Sequence, residues 1–484
     1  MRSPNPETKT TTEPEDHVEH WDEVADVVVV GSGFAGLTAA IEAHNAGASV
    51  IILEKMKAPG GNSIISDGGI AAAATPMQQK AGIKDSAELM YSDMLKAGLG
   101  LNHPDLVREV VARSYEALQW SMDYLGVEYL DRVDQFGGHT VPRCLTALNV
   151  SGSTIIRQQI SKLRELGIEV RLQMCLKTFV RNADGRVCGV LVREGYEHED
   201  SSRGTDRYIK ATKAVVLATG GFGSDIAFRT AQDPRLTEKI DSTNKPFATA
   251  EAMVEALKLQ ANPVHLSHIQ LGPWACPDER GYGVGPIFSE YIVFLYGIVV
   301  DAVNARRIAN ELADRKTLSD AILNTGQPCI ALADSKAVEQ SGWSIDSCLK
   351  KGVVKQFSQL DELASFYGLP RAALEATVEQ HNTCVEEGLD RDFGRPIHPD
   401  ASPMTHPPFF GMRLWPKVHH TMGGVQINVR AQVINLEGHP IRGLYAAGEV
   451  TGGVHGACRL GSCAITDCLV FGRIAGRKAA TERP

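Results

Sequence analysis

The sequence lacks the cysteine patterns that hold haem or zinc. It has ten cysteines in 484 residues, but no two form a Cys-x-x-Cys pair and no Cys-x-x-Cys-His haem attachment motif occurs. Cysteines scattered singly through a large chain are typical of reduced thiols in a cytoplasmic protein. We therefore expect no metal site.

Long apolar runs and a basic surplus are also missing. The longest apolar run, Tyr291 to Val300, is about half the roughly 20 residues that a membrane-spanning helix needs. The net charge of −9 disfavours nucleic acid or an anionic membrane surface as a partner. Residues 1–20 are polar and lack the apolar core of a signal peptide, so we expect a disordered tail. These absences favour a cytoplasmic protein without membrane insertion.

The rest of the chain has the composition of a globular protein with two domains. Its 484 residues exceed the roughly 250–300 at which a single hydrophobic core stops growing. Near residue 265 the composition changes, and proline, glycine and aromatic residues become interleaved. Helical patterns follow and run to about residue 390. We predict an inserted domain at 266–414, with the proline-rich stretch 392–408 as its return linker.

The first ordered segment carries a dinucleotide-binding signature. The β-branched run Ala25–Val30 predicts a buried parallel strand, which leads into GSGFAG at 31–36 and then a predicted helix, Leu37–Ala46. A second predicted strand, Ser49–Leu53, ends at Glu54, which is placed to accept hydrogen bonds from adenosine ribose hydroxyls. Gly31, Gly33 and Gly36 would let the backbone approach a pyrophosphate at the helix N-terminus. This context disfavours the alternative of a glycine turn that binds no nucleotide.

Later segments favour FAD over NAD. Strand patterns near 170–180 and 187–192 predict a small antiparallel layer, and Lys213–Thr219 predicts a buried strand that ends in a glycine turn. Leu444–Gly448 is strand-like, and Cys463–Ala480 predicts a closing helix. Glycine turns at three remote points suit a long cofactor that is contacted from both ends of the chain.

At this point the motifs resemble a known family. GSGFAG, GGNS, ATGGF, VHHTMGGV and, most specifically, AAGEVTGGVHGACRLG are similar to motifs of soluble fumarate reductases and flavocytochromes c. That family includes urocanate and other enoate reductases. The resemblance covers about Trp21 to the C-terminus. It implies an α/β fold with a Rossmann-like FAD-binding domain, 21–265 plus 415–484, and an inserted α+β clamp domain at 266–414.

The resemblance also implies the cofactor's attachment and its contacts. Asn62 stands where membrane-bound relatives attach FAD through a histidine, so we expect non-covalent FAD. The family's haem and FMN domains have no counterpart here, which implies a separate electron donor. The implied cofactor contacts are Gly31, Gly33, Phe34, Ala35, Gly36, Glu54, Lys55, Gly60, Gly61, Asn62, Ser63, Gly68, Gly69, Ala218, Thr219, Gly220, His420, Gly448, Glu449, Arg459, Ser462, Ala464 and Ile465.

Reduction of an alkene requires a grip on its electron-withdrawing group, a hydride from flavin N5 and an acid for the α-carbon. Arg459 matches the family's carboxylate-binding arginine, and His419 matches its partner on that carboxylate. Arg315 matches the family's proton donor, and Glu290 matches the glutamate that reprotonates it. The alternative for Arg315 is a surface charge beside Lys316. Further substrate contacts are implied at Ser289, Gly272 and Trp274.

Two departures from the family pattern concern the far end of the substrate. Gly272 stands where fumarate-reducing relatives place a histidine on a second carboxylate, and Val293 stands where they carry a second arginine. An unpaired second carboxylate would cost several kcal/mol in such a site. We expect a larger pocket and an enoate with a neutral, bulkier and even aromatic far end. Trp274, Tyr291 and Tyr296 would pack against it, or else belong to the clamp-domain core.

Three functions remain open from the sequence. The leading hypothesis is an FAD-dependent enoate reductase that does not use fumarate, with fumarate reduction proper as its variant. A dehydrogenase of the 3-ketosteroid kind would share the fold, but such enzymes use tyrosines instead of the Arg459 and His419 pair. An electron-transfer flavoprotein without catalysis is disfavoured by Arg315. The loss of the second arginine at Val293 also leaves the proton relay and the reaction direction open.

Overall fold

The computed structural model describes residues 13–14, 18–200 and 202–483. Most of the tail predicted at 1–20 lies outside this range, as do Ser201 and Pro484. Within it, Glu13–Pro14 pair in parallel with Val180 and Arg181. None of the described helices is long and apolar enough to cross a membrane.

The strands are β1 (Glu13–Pro14), β2 (Glu23–Val30), β3 (Val50–Glu54), β4 (Gly69–Ala71), β5 (Cys144–Thr146), β6 (Val170–Leu172), β7 (Met174–Arg181), β8 (Val187–Glu194), β9 (Thr205–Leu217), β10 (Pro263–Val264), β11 (Ile269–Gly272), β12 (Ile298–Val300), β13 (Cys329–Asp334), β14 (Lys355–Phe357), β15 (Phe409–Leu414), β16 (Lys417–Thr421), β17 (Gly424–Gln426), β18 (Gln432–Ile434), β19 (Pro440–Ala446) and β20 (Thr451–Gly452).

The α-helices are α1 (Phe34–Asn45), α2 (Pro76–Lys80), α3 (Ala87–Ala97), α4 (Pro104–Asp123), α5 (Gly152–Glu165), α6 (Ile226–Gln232), α7 (Glu251–Lys258), α8 (Gly285–Phe288), α9 (Phe294–Tyr296), α10 (Arg315–Asn324), α11 (Ser335–Ser341), α12 (Asp346–Lys351), α13 (Leu360–Tyr367), α14 (Arg371–Glu387) and α15 (Cys463–Ala480). A 3₁₀ helix spans Gly61–Ile65, and a π-helix spans Ser289–Val293.

The largest sheet has the α/β organisation predicted from the sequence. Its neighbours run in the order β1-β7-β8-β9-β2-β3-β6, and β19 pairs with β9. Strand β2 is parallel to both β3 and β9, as expected for a Rossmann-like unit. Strands β7 and β8 form the predicted antiparallel layer. Strand β9 ends at Leu217, two residues before the predicted end, so that Ala218–Gly220 turn away from the sheet.

Helices α1 and α15 close one face of this sheet. A Cβ placed on Gly476 would lie 2.2 Å from the Ala39 carbonyl oxygen, and one on Gly472 would lie 2.8 Å from the Ala35 carbonyl oxygen. The two helices therefore pack backbone against backbone, which glycine alone permits. Helix α15 has the predicted limits, whereas α1 begins at Phe34, three residues before the predicted start.

The part of the chain between β11 and β16 forms a second layer. Its antiparallel sheet has the order β12-β13-β15-β14 and falls wholly inside 266–414, together with helices α8 to α14. Strand β11 pairs with β16, so the chain leaves and rejoins the larger layer at adjacent strands. The domain limits stay predictions. The Tyr291–Val300 run is divided between the π-helix, α9 and β12.

Candidate active site

The glycine-rich turn between β2 and α1 fits tightly against the end of β9. Gly31 has φ +105°, and a Cβ there would lie 2.3 Å from the Ala218 carbonyl oxygen. A Cβ on Gly36 would lie 2.0 Å from the Gly31 carbonyl oxygen. Gly33 caps α1, so the backbone N–H groups of the first helical turn face the groove beside β2. Such an N-terminus binds phosphate through those groups and the helix dipole.

Two adjoining cavities form one long groove. They enclose about 930 and 850 Å³, including the parts open to solvent, and share Phe34, Asn62, Ser63, Glu449 and Cys468. The first is lined by the predicted cofactor residues Gly31, Gly33, Phe34, Ala35, Glu54, Lys55, Gly61, Asn62, Ser63, Ala218, Thr219, Gly220, Gly448 and Glu449. The second is lined by Phe34, Asn62, Ser63, Gly69, His420, Glu449, Arg459, Ser462, Ala464 and Ile465. The predicted residues Gly36, Gly60 and Gly68 line neither cavity.

The acidic end of the first cavity is fixed by hydrogen bonds. Glu54 Oε2 accepts a 2.5 Å bond from the Ser32 hydroxyl, and Oε1 accepts a 2.9 Å bond from the Met56 N–H. Lys55 pairs with Glu251 at 2.6 Å across the groove wall. A phosphate-binding helix end next to an oriented carboxylate fits the pyrophosphate and ribose of a dinucleotide. The length of the combined groove leaves room for a flavin ring at the Arg459 end.

Replacement of Gly31 with alanine should prevent FAD from binding in this groove. The new methyl group meets the Ala218 carbonyl and the backbone keeps an unfavourable φ, which costs about 1–3 kcal/mol before the clash is counted. Purified protein should lose most of its bound FAD, measured as flavin absorbance per protein. Gly47→Ala is the matched control, since Gly47 has φ +86° and nothing within 4 Å of the added Cβ. Equal flavin loss in both variants would contradict the assignment of the groove.

Arg459 is a buried cation without an acidic partner. It lies at the wall of the second cavity and is only 4% exposed. Its Nη1 donates to the Leu460 carbonyl at 2.8 Å, and its Nε has no hydrogen-bond partner among the described residues. Within 18–200 and 202–483 no carboxylate forms a salt bridge with it. Burial and then the charge of Arg315 lower the pKa of Arg459 to about 10, so it stays protonated at neutral pH.

Two consecutive histidines of β16 line the same cavity as this arginine. His419 Nδ1 lies 2.9 Å from the Thr243 hydroxyl, and when that hydroxyl donates the bond, the ring proton is on Nε2. Burial, followed by the charges of Arg315 and Arg459, lowers the pKa of His419 well below its usual value. A neutral His419 therefore acts as a hydrogen-bond donor rather than a cation. His420 Nδ1 lies 3.3 Å from Glu449 Oε1, at the junction of the two cavities.

Arg315 and Glu290 form a buried ion pair at the same cavity. Arg315 Nη2 lies 2.7 Å from Glu290 Oε1, while Arg315 Nη1 has no hydrogen-bond partner in the described chain. Burial raises the pKa of Glu290 above its usual value, more than Arg315 lowers it. Burial lowers the pKa of Arg315, but the charge and the hydrogen bond of Glu290, together with the charges of Tyr282 and Asp67, leave that pKa raised. Arg315 lines the cavity, and Glu290 lies behind it.

Known proteins resemble the chain over nearly its full length. The FAD binding domain family matches residues 26–465. The acrylate reductase flavoprotein subunit of Shewanella woodyi is 43% identical, covering 94% of this chain and 91% of that protein. The urocanate reductase of Eggerthella lenta is 35% identical, covering 94% and 74%. The structure of a flavocytochrome c3 fumarate reductase in its open conformation superposes with a TM-score of 0.76 at 35% identity, covering 95% and 79%.

The chain belongs to the FAD-dependent fumarate reductase family. It is therefore an FAD-dependent oxidoreductase that acts on CH–CH bonds, as the resemblance implied. At the position where membrane-bound relatives attach FAD, Asn62 donates to Asn244 Oδ1 at 2.5 Å and accepts from the Lys245 N–H at 2.8 Å. The amide holds two loops together at the cavity junction, which leaves non-covalent FAD as the expectation.

One expectation about this family member's pocket is wrong. The absence of a side chain at Gly272 does not enlarge the pocket, because a Cβ there would lie 2.7 Å from the Trp274 ring. The indole is 1% exposed and packs edge-on against His419, with ring centroids 4.7 Å apart. The Arg315 guanidinium lies 5.5 Å from the indole centroid. Trp274 therefore fills the space behind both residues, so the pocket does not extend past them. The indole itself is not among the residues that line the second cavity.

Other predicted substrate residues lie outside the second cavity. The Ser289 hydroxyl donates to the carbonyls of Trp274 and Gly285, at 2.8 and 3.1 Å. Tyr296 packs against His398, with ring centroids 5.0 Å apart, as the alternative of a core residue predicts. Tyr291 lies in a neighbouring cleft. Gly272 itself lies beneath the indole.

Sequence reasoning missed eight residues that line the second cavity. They are Ile65, Ser66, Asp67, Thr243, Asn244, Tyr282, Asp467 and Cys468. Tyr282 stands between two glycines in a loop without periodicity, where the sequence gives no direction for a side chain. Asp67 follows the 3₁₀ helix Gly61–Ile65, and its only sequence signal was a carboxylate placed directly before two glycines of the cofactor motif. Both become evident only in the folded structure, where they line the same cavity.

Proposed function

We propose that this enzyme reduces the C=C bond of a short α,β-unsaturated monocarboxylate, with electrons from a separate donor. The observation that carries the proposal is the buried guanidinium of Arg459, which has no acidic partner in the described chain. An uncompensated buried charge costs several kcal/mol, and a substrate carboxylate removes that cost through two parallel hydrogen bonds.

The polar residues have two roles: some bind the substrate carboxylate, and others supply a proton to the α-carbon. Arg459 and neutral His419 hold the carboxylate and withdraw electron density from the double bond, which prepares the β-carbon for attack. Bound FAD, when reduced, supplies the hydride. Arg315, which lines the cavity, gives a proton to the α-carbon. Glu290 holds the opposite side of the same guanidinium and stabilises its orientation.

The far end of the pocket supports a small and neutral substrate. Neither Gly272 nor Val293 carries a cation, and Trp274 fills the adjacent space. The Shewanella woodyi relative is named for acrylate, whose one charged group is a single carboxylate. The Eggerthella lenta relative is named for urocanate, which carries a ring at that end. The position of the indole favours the first of these substrates.

A separate donor is supported by the sequence and by one relative's name. The sequence has no haem attachment motif, and the Shewanella woodyi protein is named as a flavoprotein subunit. We therefore propose that electrons reach FAD from another protein.

A substrate panel tests the function. With reduced viologen as donor, kcat/KM for acrylate should exceed that for fumarate about 100-fold, because a second unpaired carboxylate costs about 3 kcal/mol. Urocanate and cinnamate should be slower still, since the indole blocks them. Trp274→Ala should raise the ratio of cinnamate to acrylate turnover about tenfold or more, whereas Trp120→Phe, on α4, should leave it unchanged.

Fumarate turned over as fast as the best substrate would refute the monocarboxylate assignment. Fast reduction of urocanate by the unaltered enzyme would refute the size limit. Reduction of the flavin by a saturated ketosteroid, without reoxidation by any enoate, would favour the 3-ketosteroid dehydrogenase alternative.

A further inference from the structure

Each turnover adds one proton to the α-carbon, and Arg315 can give up only one proton before it must itself be reprotonated. Arg315 gives its proton to the α-carbon and is then a neutral guanidine beside the Glu290 carboxylate. The family's second arginine is replaced by Val293, which is fully buried among apolar side chains. The proton that restores Arg315 must therefore reach Glu290 by another way.

The free oxygen of Glu290 marks where that proton arrives. Glu290 Oε1 is bonded to Arg315, whereas Oε2 is shielded from solvent and has no hydrogen-bond partner among the described residues. A buried carboxylate oxygen without a donor is costly, so a donor is expected to reach it during the reaction.

The second cavity shares part of its lining with an outer cleft. The outer cleft encloses about 980 Å³, including its solvent-open part, and its lining includes Tyr291 and Trp343. The two spaces have four lining residues in common, namely Ile65, Ser66, Asp67 and Tyr282. Of these four, only Asp67 and Tyr282 carry a titratable group.

The contacts of the two titratable residues fit proton transfer. Asp67 Oδ2 accepts a 2.8 Å hydrogen bond from the Tyr291 hydroxyl, which fixes the carboxyl group in the shared lining. The Tyr282 hydroxyl forms no hydrogen bond with any described residue, so it is free to rotate between neighbours. Burial, followed by the charges of Asp67 and Glu290, raises the pKa of Tyr282 well above its usual value. The hydroxyl therefore keeps its proton and can give one only while it takes another.

We propose that Asp67 and Tyr282 form the proton inlet of this enzyme, in place of the family's second arginine. This inference rests on the proposed function. Asp67 takes a proton from water in the outer cleft and passes it to the Tyr282 oxygen as the Tyr282 O–H bond breaks. The released proton goes to Glu290 Oε2, and Glu290 gives a proton to neutral Arg315. The net change is one proton from water to the α-carbon, and no electrons move along this path.

The test separates the first turnover from later ones. The first uses the proton already stored on Arg315, so the anaerobically reduced enzyme mixed with acrylate should reoxidise its flavin at the unaltered rate. In Asp67→Asn and Tyr282→Phe this single-turnover rate and the KM should stay within about twofold, while kcat with excess reduced viologen falls about tenfold or more. Asp346→Asn, which removes an exposed carboxylate outside both cavities, should change neither rate.

Equal losses in the single-turnover rate and kcat would show that these residues only shape the pocket, and would overturn the inlet. An unchanged kcat in either variant would also overturn it. Should the unaltered enzyme fail to reoxidise with every enoate tried, the proposed function would be refuted and the inlet with it.

Discussion

Arg459→Met is expected to lower kcat/KM for the enoate about 10³-fold, because one partner of a buried charge pair is worth about 4 kcal/mol. The loss should raise KM, because the guanidinium holds the carboxylate in the ground state, and lower kcat, because this interaction strengthens as negative charge develops in the transition state. Steady-state kinetics with acrylate and reduced viologen measure both parameters. Flavin absorbance should persist, because most of the cofactor groove lies beyond Arg459.

The Tm of the ligand-free Arg459→Met protein provides a second test of this prediction. Arg459 is a buried cation with no acidic partner among the described residues, so its replacement by methionine should leave the Tm unchanged or raise it. A substantial fall in Tm would mean that the guanidinium is satisfied inside the protein and is not reserved for a substrate. Arg430→Met, on an exposed turn, controls for the loss of one positive charge.

Arg315→Ala is expected to reduce turnover roughly 10³-fold or more, the upper part of the range for a general acid. Here the single-turnover rate should collapse together with kcat, because the first proton itself is missing. FAD should remain bound. Stopped-flow reoxidation of the reduced flavin by acrylate gives the first rate, and steady-state assays give the second.

Two controls separate the acid from its surroundings. Lys316→Ala removes the adjacent cation, which pairs with Asp320 at the surface, and should keep full activity. Arg315→Ala leaves Glu290 without its partner, so its Tm should fall, in contrast to Arg459→Met. Retained turnover in Arg315→Ala would remove Arg315 as the acid, whatever the stability.

The cofactor side of the fold could be predicted from the sequence because its signals are local. The strand, glycine turn and second strand from Ala25 to Glu54 are consecutive, and each position is constrained by its own φ or by burial within a few residues. Helix α15 had the predicted limits because an uninterrupted helical pattern begins directly after the glycine motif. The start of α1 was misplaced because Gly36 of GSGFAG is helical here, which propensity alone disfavours.

The sequence predicted the basic residues of the second cavity but missed several of the other residues that line it. Arg459, Arg315 and His419 lie at one cavity, as their motifs implied. Ser289 and Glu290 are neighbours in the sequence, yet only Glu290 faces Arg315, because the π-helix turns Ser289 toward the backbone of Trp274. Tyr282 and Asp67 come from separate layers, so no spacing in the sequence relates them.

The sequence by itself determined the nucleotide-binding unit, the family, the basic residues proposed to hold a carboxylate and the absence of a cation at positions 272 and 293. These features depend on residue identity at fixed short spacing. Only the tertiary structure decided how large the pocket is and which residues line both it and the outer cleft. A missing side chain at Gly272 says nothing about what packs over it, and the answer came from an indole two residues away that folds back against His419. Volume in a close-packed interior is set by every neighbour at once, which no single position encodes.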